Sequence, residues 1–191
     1  YNHRMKWIRY FGAALFFLSA IGLILISWPV PETRAEIPLT IGNVTQGKMI
    51  LTLPEYLRAG ETREISLRIE YIPLVDEDDR DIQIQLVNRL EIGSMTINPK
   101  GEGRTLINPD SVAVFVWKVR CDTVGSNSGL VWLFEEGSDG EKHLLLGRKI
   151  ELLTKNFLGM TFPIARTFFI GGAAIGLILF LSIIFRRRFS E

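Results

Sequence analysis

A run of carboxylates is the first place in the sequence where metal chemistry is conceivable. Residues 76–81 read DEDDRD, and clustered carboxylate oxygens are the hard ligands that Ca²⁺ prefers. A helix-flanked calcium loop also needs a glycine near its middle and a bidentate glutamate at its twelfth position. The run lacks that glycine, and Val87 occupies the twelfth position. The pattern therefore predicts a solvent-exposed loop between two strands, without a bound metal.

Nucleophilic catalysis would need a serine or cysteine beside a histidine base and a third group that orients the base. The chain has two histidines, His3 and His143, and one cysteine, Cys121. It has no Gly-x-Ser-x-Gly elbow, phosphate-binding loop or dinucleotide-binding motif, and Ser128 within GSNSG is typical of a turn. We therefore expect a protein that is not an enzyme and that uses no cofactor.

Small residues in two apolar segments suggest a different kind of chemistry, the close packing of helices. Gly172 and Gly176 are four residues apart, which places both on one helix face and allows another helix to approach closely. The partner is either the first apolar segment, through Gly12, Ser19 and Gly22, or another protein. Glycine is also common in membrane helices without any packing role.

The elements that carry these glycines are predicted to cross a membrane. Residues 167–185 read TFFIGGAAIGLILFLSIIF without a charge, close to the ~20 residues that span a hydrocarbon layer of ~30 Å. Residues 11–28 form a second uncharged segment. A cleaved secretory signal is the alternative for this first segment, although its apolar run is longer than a usual signal core.

Basic and aromatic residues at the ends of both segments predict their orientation. Lysine and arginine are retained on the cytoplasmic side, and tryptophan favours the membrane interface. We predict that residues 1–10 and 186–191 are cytoplasmic, that residues 157–166 lie at the outer interface, and that the central domain is extracytoplasmic. The predicted anchors are Arg4, Lys6, Trp7, Arg9, Trp28, Arg166, Arg186, Arg187 and Arg188.

The centre of the chain has a different composition and a different period. Residues 29–38 contain three prolines and are predicted to be an extended connector. In residues 39–156, apolar and polar residues alternate in about seven short segments, of which Thr62 to Ile72 is the clearest. This spacing predicts an immunoglobulin-like β-sandwich. Ser111 to Arg120 is apolar on both faces, so we expect it to be a central strand.

The formal net charge of +1 and the location of the basic residues beside the apolar segments argue against nucleic-acid binding. The lack of disulfides in an outer domain favours a bacterial cytoplasmic membrane. In outline only, the layout resembles bacterial membrane-anchored sandwich proteins, including accessory subunits of larger membrane complexes. We expect a non-catalytic accessory or scaffold subunit of a larger membrane complex, for example an energy-transducing one, whose helices pack in the membrane while the sandwich covers the outer face. Its expected partners are the lipid bilayer and other subunits. The alternative is an independent adhesion or ligand-sensing module.

Overall fold

The computed structural model describes residues 2–41, 44–72, 83–108, 111–137 and 139–188. Side chains are described throughout these ranges except at residues 2–6, 9, 41, 44–46 and 182–188. The chain divides into two compact units, which are treated separately below. The helical unit comprises residues 1–29 and 156–191, and the β unit comprises residues 30–155.

The helical unit contains α1 (Asn2–Ser27) and α2 (Phe162–Arg188). Leucine, isoleucine, phenylalanine and alanine dominate both helices, and the first helix ends just before Pro29, which cannot continue it. Pro163 lies in the first turn of α2, where its missing N–H group costs no hydrogen bond. The second helix is longer at both ends than the predicted span 167–185.

A tight turn precedes α2. The backbone N–H of Phe157 donates to the carbonyl of Met160 at 2.9 Å, and the N–H of Met160 donates back at 3.0 Å. The two central residues, Leu158 and Gly159, have φ angles of 51° and 80°, as a type I′ turn requires. The predicted interfacial segment 157–166 is therefore a turn followed by the first residues of a helix.

Among the described residues, the β unit contains ten strands. The strands are β1 (Glu32–Ile41), β2 (Val44–Pro54), β3 (Tyr56–Arg58), β4 (Thr62–Tyr71), β5 (Ile84–Ile92), β6 (Thr96–Asn98), β7 (Glu102–Ile107), β8 (Val112–Arg120), β9 (Gly125–Glu136) and β10 (Lys142–Lys155). They form sheet A, in the order β1-β2-β4-β8-β6, and sheet B, in the order β3-β10-β9-β5-β7.

Alternating side chains from both sheets form one hydrophobic core. In β4, Ile65, Leu67 and Ile69 are fully buried while the residues between them reach the surface. Trp117 of β8 is the largest of the fully buried side chains in the described part of the chain. The core residues come from strands of both sheets, as in a β-sandwich. The prediction of a mostly β central region is thus confirmed.

Three of the ten described strands were not predicted, so the estimate of about seven was too low. Strand β1 occupies most of residues 29–38, which were expected to form a connector. It pairs on one side with β2 and lies at the edge of sheet A, where a proline such as Pro38 is tolerated. The short β3 and the edge strand β7 lack the length or the regular alternation that reveals β4.

Candidate functional site

The two helices of the helical unit contact each other through their smallest residues. A Cβ atom at Gly176 would lie 2.7 Å from the backbone nitrogen of Phe16 and 2.8 Å from the carbonyl oxygen of Gly12. A Cβ atom at Gly12 would lie 3.1 Å from the carbonyl oxygen of Gly176. Because the neighbours are backbone atoms, neither position has room for a larger side chain.

The other predicted packing residues lie along the same helix contact. Ser19 is buried, and its hydroxyl oxygen is 2.5 Å from where a Cβ atom at Gly172 would lie. A Cβ atom at Gly22 would overlap the ring of Phe169. The structure therefore brings together all five residues that the sequence singled out for packing, and the partner of the second-helix glycines within this chain is the first helix.

Sequence reasoning missed the extension of this contact beyond the glycines. In both helices the inward residues recur at alternating intervals of three and four, the spacing of a left-handed helix pair. On α1 these are Gly12, Leu15, Ser19, Gly22 and Ile26, and on α2 they are Phe162, Ala165, Phe169, Gly172, Gly176 and Leu179. Counting back from Gly172 in alternating steps of three and four residues would have identified Phe169, Ala165 and Phe162.

Aromatic residues close one end of the helix pair. Ile26, Phe162 and Ala165 form a buried cluster, against which Phe157, Met160 and Phe169 pack. The ring of Phe157 meets those of Phe162 and Phe169 edge to face, with centroids 5.9 and 5.8 Å apart. The tight turn therefore folds Phe157 back onto the helices, and Leu158 at the tip of the turn stays exposed.

The remaining faces of both helices carry exposed, large apolar side chains. Two stretches, Tyr10–Ser27 and Phe162–Leu181, are long and apolar enough to cross a membrane, a criterion that signal sequences and buried core helices also meet. Only 22% and 11% of these stretches are buried.

The predicted anchors lie at or near the helix ends. Trp7, Trp28 and Arg166 are exposed. The side chains of Arg4, Lys6, Arg9, Arg186, Arg187 and Arg188 lie outside the described set, although their backbones are helical.

The residues considered for chemistry in the β unit do not converge. His143 is exposed on β10, Ser128 is exposed on β9, and Cys121 is buried in the core. Within the described residues, no group of three or more histidine, cysteine, aspartate or glutamate side chains is placed to hold a metal ion. The acidic run at residues 76–81 lies outside the described residues.

Cys121 is held by polar neighbours despite its burial. Its thiol donates to the carbonyl oxygen of Thr123 at 3.2 Å, and the Asn127 amide nitrogen lies 3.7 Å from the sulfur. Burial raises the pKa of the Cys121 thiol, but the polar groups of Thr123, Thr154 and Asn127 around it lower the pKa by more, so that the net pKa is below its ordinary value. This residue contributes to the core, where reagents do not reach it.

Strand β8 carries an exposed apolar row that the sequence did not predict. Because both of its faces are apolar, the sequence predicted a central strand, and β8 lies between β4 and β6 in sheet A. The structure buries only one of the two faces, which is formed by Ala113, Phe115, Trp117 and Val119. Val112, Val114 and Val116 point away from the core and are 48%, 55% and 42% exposed. We call these three residues the valine row.

The β unit also contains an open groove at one edge of sheet B. It has a volume of about 640 Å³ and is lined by apolar residues of β5, β6 and β9 together with charged residues of both signs. The groove lies where β5 continues beyond its pairing with β7, which ends at Arg89. Its lining includes Leu90, Glu91, Ile92, Ile97, Lys100 and Lys149.

No protein-family model matches the chain, and the comparison with curated proteins gave no match. Solved structures that match part of the chain include a portion of alpha-2-macroglobulin from Escherichia coli, at 10% identity and a TM-score of 0.43, covering 66% of this chain and 17% of that chain. A cohesin module from a Clostridium perfringens family 33 glycoside hydrolase has 16% identity and a TM-score of 0.36, covering 60% and 100%. The PapD-like domain 7 of human CEP192 has 10% identity and a TM-score of 0.38, covering 63% and 96%.

Proposed function

We propose that this chain is a two-pass membrane protein that acts as a non-catalytic accessory or scaffold subunit of a larger membrane complex. In this proposal α1 and α2 lie in a bacterial cytoplasmic membrane, with both termini in the cytoplasm. The β unit is extracytoplasmic and folds as an immunoglobulin-like sandwich that covers the outer face of the complex. The partners are lipid and other subunits, without nucleic acid, metal or cofactor.

The arrangement of residue sizes in the helical unit carries the proposal. The small residues Gly12 and Gly176 lie in the contact between α1 and α2. The faces that remain present exposed side chains such as Phe17, Leu25 and Ile178. Water would be an unfavourable surrounding for so much apolar surface, whereas lipid or a neighbouring apolar helix would be favourable.

The charges at the two ends support the orientation. Arg4, Lys6 and Arg9 lie in the first residues of α1, and Arg186, Arg187 and Arg188 lie in the last residues of α2. Both groups therefore belong at the same, cytoplasmic side if both helices span the bilayer. The chain between the helices would then lie on the opposite side.

Purification of the tagged full chain from its native membranes in a mild detergent tests the proposal. We expect it to migrate with other subunits, at a protein mass several times its own 21.7 kDa. A chain that runs as a detergent-solubilised monomer directly from native membranes would contradict the role as a subunit. Recovery of the chain in the soluble fraction would contradict the membrane anchor itself.

A ligand-sensing module is the second candidate, and the groove beside β5 favours it. Apolar residues such as Ile92 and Ile97 line the groove together with Glu91, Lys100 and Lys149, which suits a small molecule that has both an apolar part and a charged group. Native mass spectrometry of the purified chain would then detect a bound small molecule. Substitution of Ser128→Trp, which fills the groove, would abolish that binding, whereas retained binding in this variant would exclude the groove as the site.

A further inference from the structure

One lateral edge of β8 is unpaired over most of its length. On one side, β4 pairs with β8 from Val112 to Arg120. On the other side, β6 pairs only with Lys118, Val119 and Arg120. In the described part of the chain, residues 112–117 therefore have no strand on that side. Because successive residues in a strand direct their N–H and C=O groups to opposite edges, alternate residues here present unpaired backbone groups.

This free edge arises because the outermost strand changes sheets. The chain pairs with β8 of sheet A as β6 and then, after a short turn through Lys100 and Gly101, pairs with β5 of sheet B as β7. On this side, β8 of sheet A and β5 of sheet B each have a neighbouring strand along only part of their length. Strand β7 covers β5 from Ile84 to Arg89 and leaves the first six residues of β8 without a partner in the same sheet.

The other described edges are protected in ways that this edge is not. Strand β1 carries Glu32, Arg34 and Glu36 and contains Pro38, and β7 carries Glu102 and Arg104. Strands β3 and β6 are three residues long. Strand β10 also lacks a described neighbour on one side from Lys142 to Leu152, because β3 pairs only with residues 153–155, but this edge carries Lys142, Arg148, Lys149 and Glu151. The end of β5 beyond β7 is three residues long and contains Glu91. Charge, proline and short length all prevent a sheet edge from pairing with another chain. The free part of β8 has none of these, and it carries the valine row beside its unpaired backbone.

We propose that this edge of β8 accepts a strand from a partner subunit, which extends sheet A by strand addition and covers the valine row. The inference rests on the proposed function, because the partner belongs to the same membrane complex. Unpaired backbone groups require an occupant with its own N–H and C=O groups, which a lipid or apolar ligand lacks. The occupant is therefore an extended peptide segment.

The neighbouring side chains define the chemistry of that segment. Exposed Val112, Val114 and Val116 require aliphatic or aromatic side chains at alternate positions of the added strand. On the neighbouring strand β4, Glu70 lies opposite Val112 in the register and is already paired with Lys48 at 3.1 Å and with Arg68 at 2.9 Å. Lys118, next to the free stretch, lies opposite Glu64 of β4. The charges beside the valine row therefore have neighbours of opposite sign within this chain, and the added strand is defined by its apolar alternate positions.

Amide hydrogen exchange on the full chain tests strand addition directly. We compare the native complex with the chain dissociated from it and expect exchange to slow by about tenfold or more at alternate residues within 112–117 in the complex. Residues 66–70 of β4 have a strand on both sides, so their amides serve as an internal control that should not change. Unchanged exchange throughout residues 112–117 in an intact complex would overturn the proposal.

A pair of matched variants tests the valine row. Val114→Lys places a charge on the free edge, and Leu144→Lys places the same charge at an equally exposed apolar position on β10 of sheet B, where Leu144 is 55% exposed. We expect Val114→Lys to reduce the recovery of the complex about tenfold and Leu144→Lys to leave it unchanged. Equal unfolding midpoints of the two variants would show that both remain folded. Equal recovery of the complex would overturn the docking surface.

A photo-crosslinking amino acid at position 114, used in native membranes, identifies the occupant. Attachment to an extended, alternately apolar segment of another subunit would support the proposal. Attachment to a second copy of this chain, or no attachment in an intact complex, would overturn it. These outcomes can be distinguished from failure of the proposed function. If the proposed function is wrong, the unmodified chain itself purifies as a monomer, and there is no complex in which to crosslink.

Discussion

The helical unit and the β unit are both rich in apolar residues, but their closest contacts use residues of opposite size. Gly12, Ser19, Gly172 and Gly176 occupy the contact between α1 and α2. The core of the β unit is filled instead by large side chains, with Trp117 the largest of those that are fully buried among the described residues.

The difference reflects what each unit gains from packing. In water, burial of apolar surface contributes about 25 cal/mol per Å², so a core of large side chains yields the greatest stability. In the proposed membrane, the surface of a helix is already in an apolar solvent, and burial against another helix gains little by that route. Van der Waals contact at short range contributes instead, and small residues allow it.

Truncation of the largest core residue should have the greatest effect on the β unit. Trp117→Ala removes a side chain that is 1% exposed, and we expect the free energy of unfolding to fall by about 3–5 kcal/mol. Denaturant unfolding of the full chain in detergent, followed by circular dichroism of the β signal, measures this loss. Trp132→Ala is the matched control, because Trp132 is only half-buried and stacks on Phe134 at a centroid distance of 6.2 Å. An equal loss in both variants would contradict the assigned core.

Enlargement of a contact glycine should have the next largest effect, confined to the helical unit. Gly176→Leu forces side-chain atoms against the backbone of Phe16, and we expect it to destabilise the helix pair by about 1–3 kcal/mol. Gly171→Leu is the control, since no atom lies within 4 Å of the position where its Cβ would be. Gly172→Leu should lie between the two, because it meets mainly the movable hydroxyl of Ser19.

Spin labels at Leu18 and Ile175, in a chain with Cys121→Ser, would measure the separation of α1 and α2 in these variants. Both positions are exposed apolar sites on the helices. The Gly176→Leu chain should show a longer and broader distribution of distances than the Gly171→Leu chain. If the two distributions coincide, glycine at this position is not needed for the helix contact, and the contrast between the two units fails.

A surface ion pair of the β unit should have the smallest effect and should depend on pH. The Lys142 ammonium donates to both carboxylate oxygens of Glu102 at 2.9 and 2.7 Å, and it lowers the pKa of Glu102 below its ordinary value. Because the folded pKa is lowered, the contribution to stability is present above the ordinary glutamate pKa of about 4.3 and is lost as the pH falls through the folded value.

The Lys142→Met variant tests this pH dependence. It should unfold slightly more easily than the unmodified chain at pH 7, and the two melting temperatures should converge as the pH is lowered below about 4. Lys149→Met is a suitable control, since Lys149 and Glu151 form a pair whose side chains are 66% and 65% exposed. A difference in melting temperature that stays constant with pH would show that the effect does not arise from the ionisation of Glu102.

Local patterns were sufficient to predict most elements of this chain. Uninterrupted apolar composition indicated both helices, and the alternation from Ile65 to Ile69 indicated a half-buried strand, which the burial in β4 matches. Whether a segment forms a helix or a strand depends largely on residues that are close in sequence, so the type of these elements could be predicted from the sequence. The candidate packing glycines were found for the same reason, because a spacing of four residues defines one face of a helix.

Pairing between segments that are distant in sequence decided the features that local patterns did not predict. The two apolar faces of β8 indicated a central strand, but which of these faces is covered depends on which sheet packs against it. The proline-containing residues 32–38 form a strand because β2 lies beside them. The free edge at residues 112–117 exists because β6 and β7 belong to different sheets. The sequence by itself indicated both helices and most of the described strands, because these depend on local patterns. Only the tertiary structure decided where β1, β3 and β7 form and which faces and edges remain uncovered, because both depend on pairing between distant segments.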